Sequence, residues 1–248
     1  MSAHHSEQDE SYFVSMTDLM VGMLFVFIIM LMAFALNLQT ATAKLTQTDT
    51  ARAEMLRDIA ESLKKKGIPV VVLPESGVLR LPEKVLFDTG SFDLQDDGVW
   101  AIQKLSEALR ETLPCYAGTE TPQSCGTRAF GRLESVFIEG HTDNQAIAGN
   151  PDGNWQLSTK RAITVYRALT ATNALLGELR NDKDGQYGVG DKLVGVSGYA
   201  DQRPANMKDD EAARRENRRI DLRFIMAIPN TERQAQISTA LNPGLPKP

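Results

Sequence analysis

Residues 19–36 form an unbroken run of 18 residues with no charged or strongly polar side chain. At about 1.5 Å of rise per residue, such a helix is about 27 Å long, close to the hydrocarbon thickness of a bilayer. Beginning the helix at Phe13 lengthens it enough to cross completely. The preceding residues lack Lys and Arg and carry Glu7, Asp9 and Glu10. That composition, with no small-residue cleavage site after the run, argues for a retained anchor over a cleaved signal peptide.

Asp18 stands at the mouth of this run, in Ser15-Met16-Thr17-Asp18-Leu19-Met20. An ionisable group at the edge of a membrane helix is costly and marks a functional site by default. The plain alternative is a helix N-cap, a position that Asp suits. Lys44, Arg52, Arg57 and three consecutive lysines from Lys64 follow the run. Counted directly, the positive-inside rule places that side in the cytoplasm, although long domains translocate largely regardless of charge.

The pattern predicts five regions: a polar tail over 1–12, the membrane helix over 13–37, a helical connector over 38–67, an α+β domain over 68–228 and a loose tail over 229–248. The connector has Leu38, Leu45, Met55, Ile59 and Leu63 as its sparse apolar positions, and Gly67 and Pro69 stop it. It reads as a spacer, or as a dimer stalk or a plug along the membrane surface. In the domain, strands are expected over 68–73 and 78–81, split by a Pro74-Glu75-Ser76-Gly77 turn, and over 133–139, 193–198 and 219–226. Helices are expected over 99–113, 155–169 and 211–217. Such alternation suits a small sheet covered by helices.

The net charge of −5 gives no basic excess for nucleic acid. No Ser/His/Asp, Cys/His or paired-carboxylate arrangement supports an enzyme. His141 lacks a Cys or His at ligand spacing, so it reads as a hydrogen-bonded structural group, and no metal or cofactor is expected. Asp182-Lys183-Asp184-Gly185 lacks the distal ligands of a calcium loop and reads as a turn. Cys115 and Cys125 are the only cysteines and lie close together in a Pro-, Gly- and Thr-rich stretch. A bridge there would add roughly 3 kcal/mol in an oxidising compartment; the alternative is two free thiols.

Four motifs occur in order: Gly140-His141-Thr142-Asp143, Asn154-Trp155-Gln156-Leu157-Ser158-Thr159-Lys160-Arg161, Gly198-Tyr199-Ala200-Asp201-Gln202-Arg203-Pro204 and Asn217-Arg218-Arg219-Ile220, with Val85-Leu86-Phe87-Asp88-Thr89-Gly90-Ser91-Phe92 as an opening segment before them. Together, over residues 78–226, they resemble the OmpA-like peptidoglycan-binding domain. The resemblance implies a β-α-β-α-β fold that binds diaminopimelate of the peptide stem. Asp143 would pair with the ligand ammonium and Arg161 with a ligand carboxylate, with Asn154, Thr142, Leu157 and Arg218 around them. A zwitterion needs one anion and one cation held rigidly, and arginine offers carboxylate a planar fork. Asn154, Ser158 and Arg161 also share one helix face. On the residues alone, Asp143 could equally be a turn residue, Arg161 a surface salt-bridge partner, and Arg218-Arg219 a solvated pair.

An N-terminal helix with an Asp, a connector and such a domain resembles the B subunit of MotB-type stators, with Asp18 at the proton-carrying position. The run over residues 11–25 and the acidic N-tail are most similar to the B subunit of the Zorya anti-phage defence system. That implies a homodimer inside a ring of multispanning MotA-like A subunits, with cytoplasmic effectors acted on indirectly and no direct nucleic-acid contact. It places the N-terminus in the cytoplasm and the C-terminal domain in the periplasm of an inner membrane. A flagellar-type stator subunit and a simple OmpA-like wall tether are the alternatives.

Overall fold

The computed structural model describes residues 4–117, 125, 131–181 and 190–227. The expected turn at Asp182 and the tail over 229–248 lie outside these residues. The chain falls into two compact units, Met1–Thr46 and Gln47–Pro248. In the first, helix α1 (His4–Lys65) begins inside the segment expected to be a tail. It contains a stretch long and apolar enough to cross a membrane. Large apolar side chains from Met16 to Leu38 are exposed, Met23 by 73 % and Leu31 by 51 %. A helix apolar on every side, and left uncovered by the other described residues, has the character of a membrane span. Asp18 is exposed at the start of this stretch.

The second unit is an α+β domain. Its elements, after the last part of α1, are β1 (Val71–Leu73), β2 (Val78–Pro82), α2 (Glu83–Leu86), α3 (Asp96–Thr112), β3 (Leu133–His141), α4 (Gly153–Thr172), α5 (Ala174–Glu178), β4 (Val194–Gly198), α6 (Glu211–Asn217) and β5 (Arg219–Met226). The strands form one mixed sheet in the order β1-β2-β5-β3-β4. Among the described strands only β3 and β4 pair in parallel, and α4 with α5 supplies the crossover that a parallel pair needs.

Alternation along the strands sends Leu79, Leu81, Val136, Ile138, Ile220, Leu222 and Phe224 into the core. Ile102, Leu105 and Leu109 of α3 and Ala162, Val165 and Leu169 of α4 meet them there. The glycines hold α4 close: a Cβ on Gly140 would lie 1.9 Å from the Ser158 carbonyl oxygen, and one on Gly198 2.1 Å from Thr159 Oγ1. Cys115 and Cys125 are joined in a disulfide with their Cα atoms 5.5 Å apart.

The second half of the connector is more than a spacer. Ala51, Met55, Leu56, Ile59 and Leu63 are fully buried in the same core cluster. A Schellman turn ends the helix, with Gly67 at φ +77° and the Ile68 amide donating to the Leu63 carbonyl at 3.1 Å. Ile68 and Leu63 are both buried, the apolar contact that accompanies this motif. This cap and Pro69 explain why β1 starts at Val71 rather than 68. Ile59→Ala should therefore cost about 2–5 kcal/mol in chemical denaturation of the full chain, as core truncations do. A loss under about 0.5 kcal/mol, typical of a solvated position, would restore the spacer.

Candidate functional site: charged side chains where three strand ends meet

β5 lies between β2 and β3, and its first residue, Arg219, is paired on both sides, with Pro82 and with His141. The residues next to these positions leave the sheet side by side: Glu83 after β2, Thr142 and Asp143 after β3, and Arg218 before β5. The backbone fastens them, since the Glu83 amide donates to the Arg218 carbonyl at 3.0 Å and the Thr142 amide to the Ala200 carbonyl at 2.9 Å.

Arg218 is the hub. Its Nη1 donates to Asp143 Oδ2 at 2.6 Å, its Nε to Glu83 Oε2 at 2.8 Å and its Nη2 to Glu211 Oε1 at 3.0 Å. Its contacts with Arg218 and Arg214 hold the Glu211 carboxyl at about 2. Arg161 arrives from α4. It is ion-paired with Glu83 Oε1, and its Nε donates to the Ser91 carbonyl at 2.7 Å. The charges thus alternate along Asp143, Arg218, Glu83 and Arg161. Asn154, two turns earlier on α4, donates from Nδ2 to the Asp143 and Gln145 carbonyls at 3.3 and 3.0 Å.

The structure therefore gathers most of the expected site residues. Asp143 is a turn residue as well as an ion-pair partner, because its Oδ1 accepts from the Gln145 amide at 3.1 Å. Arg161 is 1 % exposed, so it is no surface partner, and in the Arg218-Arg219 pair Arg219 is buried while Arg218 is half-buried with its guanidinium on three carboxylates. Thr142 is buried, and its Oγ1 has no hydrogen-bond partner among the described residues. Leu157 is half-buried on α4. Glu83 was not foreseen. In sequence it is one acid in Leu81-Pro82-Glu83-Lys84, and only the register of β2 against β5 reveals its position.

A second charged network occupies the sheet face opposite the core, built by the alternate residues of β2, β3 and β5. Arg80 clasps Asp221 through two bonds of 2.9 and 3.0 Å, Arg219 adds a third at 3.0 Å, and Arg223 clasps Glu139 through two of 2.8 Å. His141 lies between, 3.9 Å from Glu139 Oε2 and 3.7 Å from Asp221 Oδ2, and stacks on Tyr199. It lies in β3, not in the loop, and its polar neighbours among the described residues are the two carboxylates just beyond ordinary hydrogen-bond length, so it is a structural group held between acids. Ligand-type atoms of Glu139, His141 and Asp221 lie within 4.8 Å of one another. The donor set suits a cation poorly, because three guanidinium groups already hold the two carboxylates and would repel it.

Burial works to raise the Glu139 carboxyl, but His141 and Arg223 outweigh it and hold the group at about 2. Burial and the Arg219 charge hold the His141 imidazole below its ordinary value against the pull of both carboxylates. Each folded value lies below the unfolded one, so each group stabilises the fold at high pH. The histidine contribution is lost as pH falls below about 6.5, and the Glu139 contribution as it falls from about 4.5 towards 2.

The model of the OmpA family matches residues 129–218, which include Asp143, Asn154, Arg161 and Arg218. The chain is also 26 % identical over 146 residues to an uncharacterized protein, YtxE, of Bacillus subtilis (strain 168), a match covering 58 % of this chain and 46 % of that protein. The chain thus spans about half the length of that curated relative. Among solved structures, a MotB-like protein from Desulfovibrio vulgaris superposes with a TM-score of 0.51 at 16 % identity, over 73 % of this chain and 98 % of that one, and shares the fold. The periplasmic domain of Helicobacter pylori MotB aligns with a TM-score of 0.42 at 19 % identity, over 68 % and 87 % of the two chains.

Two outcomes check the electrostatics. Asp221→Ala strands the Arg80 and buried Arg219 charges and should cost about 3–5 kcal/mol by chemical denaturation; a loss below 1 kcal/mol would show that the network is inconsequential. Stability of the full chain should fall between pH 7 and 5, and His141→Gln should flatten that slope. An unchanged slope in the variant would remove His141 as its origin.

Proposed function

We propose that this chain is a membrane-anchored peptidoglycan-binding subunit of an ion-driven motor. The observation that carries the binding half is the convergence of Asp143, Arg161 and Arg218 at one end of the sheet, within the segment that matches the OmpA family. An acid and two guanidinium groups, held by three strand ends and a helix, suit a zwitterionic amino-acid end such as diaminopimelate: ammonium to Asp143, carboxylate to Arg161, with Arg218 beside both. Asn154, Thr142 and Leu157 complete the surround. Binding of the wall then fixes the domain in the periplasm, with the N-terminus in the cytoplasm and the exposed apolar part of α1 crossing the inner membrane.

The motor half rests on Asp18. Its place at the start of the apolar stretch lets it alternate between neutral and ionised forms as it meets each side of the membrane. One charge crossing 100 mV is worth about 2.3 kcal/mol, enough to bias a conformational step. In this reading two copies of the chain stand inside a ring of multispanning MotA-like subunits. The acidic N-tail and residues 11–25 favour the Zorya defence motor over a flagellar stator, with cytoplasmic effectors driven indirectly.

Asp18→Asn should abolish phage protection in cells expressing the complete system while the chain still inserts and assembles with its multispanning partner. Full protection by this variant would leave a wall tether in place of a motor. Separately, Asp143→Ala combined with Arg161→Ala should weaken binding of the full, detergent-solubilised chain to muropeptides by about 100-fold or more, the loss of two charge-assisted contacts. Retained affinity would remove the site assignment.

A further inference from the structure

Arg161 carries the ligand carboxylate in the reading above, yet here it already holds one. Glu83 is 6 % exposed and Arg161 1 % exposed. One carboxylate oxygen of Glu83 pairs with Arg161, and the other accepts from Arg218 at 2.8 Å. The remaining bonds of Arg161 go to the backbone, to the Ser91 carbonyl at 2.7 Å and the Asp88 carbonyl at 3.4 Å. These fix the guanidinium from the α2–α3 connection and leave Glu83 as its ionic partner. Glu83 thus bridges the same two arginines that a ligand carboxylate would seek.

We propose that Glu83 is a built-in surrogate for the ligand carboxylate, and that an incoming amino-acid carboxylate binds by taking its place on Arg161. The proposal rests on the peptidoglycan-binding reading and adds a specificity-determining residue to it. Arg161 has its Nε on the Ser91 carbonyl and its Nη2 on the Asp88 carbonyl and Glu83, so a second carboxylate brought to it would lie against Glu83 in a buried place where like charges repel strongly, and binding and the Glu83–Arg161 pair exclude each other. The surrogate also compensates the buried Arg161 guanidinium, which would be strongly destabilising unpaired. Glu83 is well placed to leave. Only its side chain has to turn away, since its amide stays on the Arg218 carbonyl at 3.0 Å. Arg218 keeps Asp143 and Glu211 as partners when Glu83 withdraws. The exchange filters ligands: a neutral or amidated group gains nothing on Arg161 that would offset the loss of Glu83, whereas a free carboxylate does.

The test uses the full chain in detergent, with meso-diaminopimelate as the probe in titration calorimetry. Glu83→Gln removes the competing charge and keeps the shape, so it should bind about tenfold more tightly than wild type, the scale of one charge-assisted contact, while being less stable to heat. Equal or weaker binding by the variant, with wild type binding, overturns the surrogate and leaves the site reading intact. No binding by either chain overturns both. Should the variant not fold, the structure of the wild-type chain with bound meso-diaminopimelate decides. Glu83 withdrawn from Arg161, with a ligand carboxylate in its place, supports the exchange, and Glu83 still on Arg161 refutes it.

Discussion

The pairing of Arg219 with Pro82 on one side and His141 on the other is the constraint on which the site depends. A strand's register is exact to the residue, because a slip by one turns every side chain to the opposite face. With Arg219 locked between two neighbours, Glu83, Asp143 and Arg218 are delivered to one place by backbone geometry. Arg161 joins from a helix that two glycines hold against the ends of β3 and β4. The same register places Arg80, Glu139, His141, Asp221 and Arg223 together on the face away from the core.

Charged groups buried at this density seldom add much net stability, because the cost of desolvating them offsets their attraction. Their value lies in what happens when one is missing: each partner left behind is a buried charge without compensation. The two networks therefore act as a check on register at the site end of the sheet. That rigidity is what a binding site for a small zwitterion needs, since an acid and a guanidinium must be held at fixed separation.

Most of the architecture is legible in the sequence, because it follows from local pattern. The apolar run over 19–36, the Pro74–Gly77 turn, the alternation of Ile220, Leu222 and Phe224 and the helical spacing of Ile102, Leu105 and Leu109 each announce their element. Gly67 and Pro69 announce the end of α1. Burial that depends on distant partners is less legible. Met55, Ile59 and Leu63 repeat at intervals of four, but among polar neighbours they look sparse, and only packing against the sheet domain shows that they are core. In the site, Asp143, Asn154, Arg161 and Arg218 are marked by motif, whereas Glu83 has none, since its role arises from strand pairing alone. The arginine pair 218–219 looks solvent-facing in sequence because Glu83 and Asp143, which meet Arg218, come from elsewhere in the chain, and Asp221, which meets Arg219, is recognisable as its neighbour only once the strand puts both on one face.

The two ends of the chain pose complementary chemical problems. In one unit an acid sits at the start of an apolar stretch of helix; in the other, acids and guanidinium groups neutralise each other at one end of the sheet. The claim that joins them is that this end of the sheet grips the cell wall. Co-sedimentation of the full chain with purified peptidoglycan sacculi, with and without excess free meso-diaminopimelate, tests it most directly. The chain should pellet with the sacculi and be released by the free amino acid. A chain that stays in the supernatant, or that pellets and is not released, would contradict it.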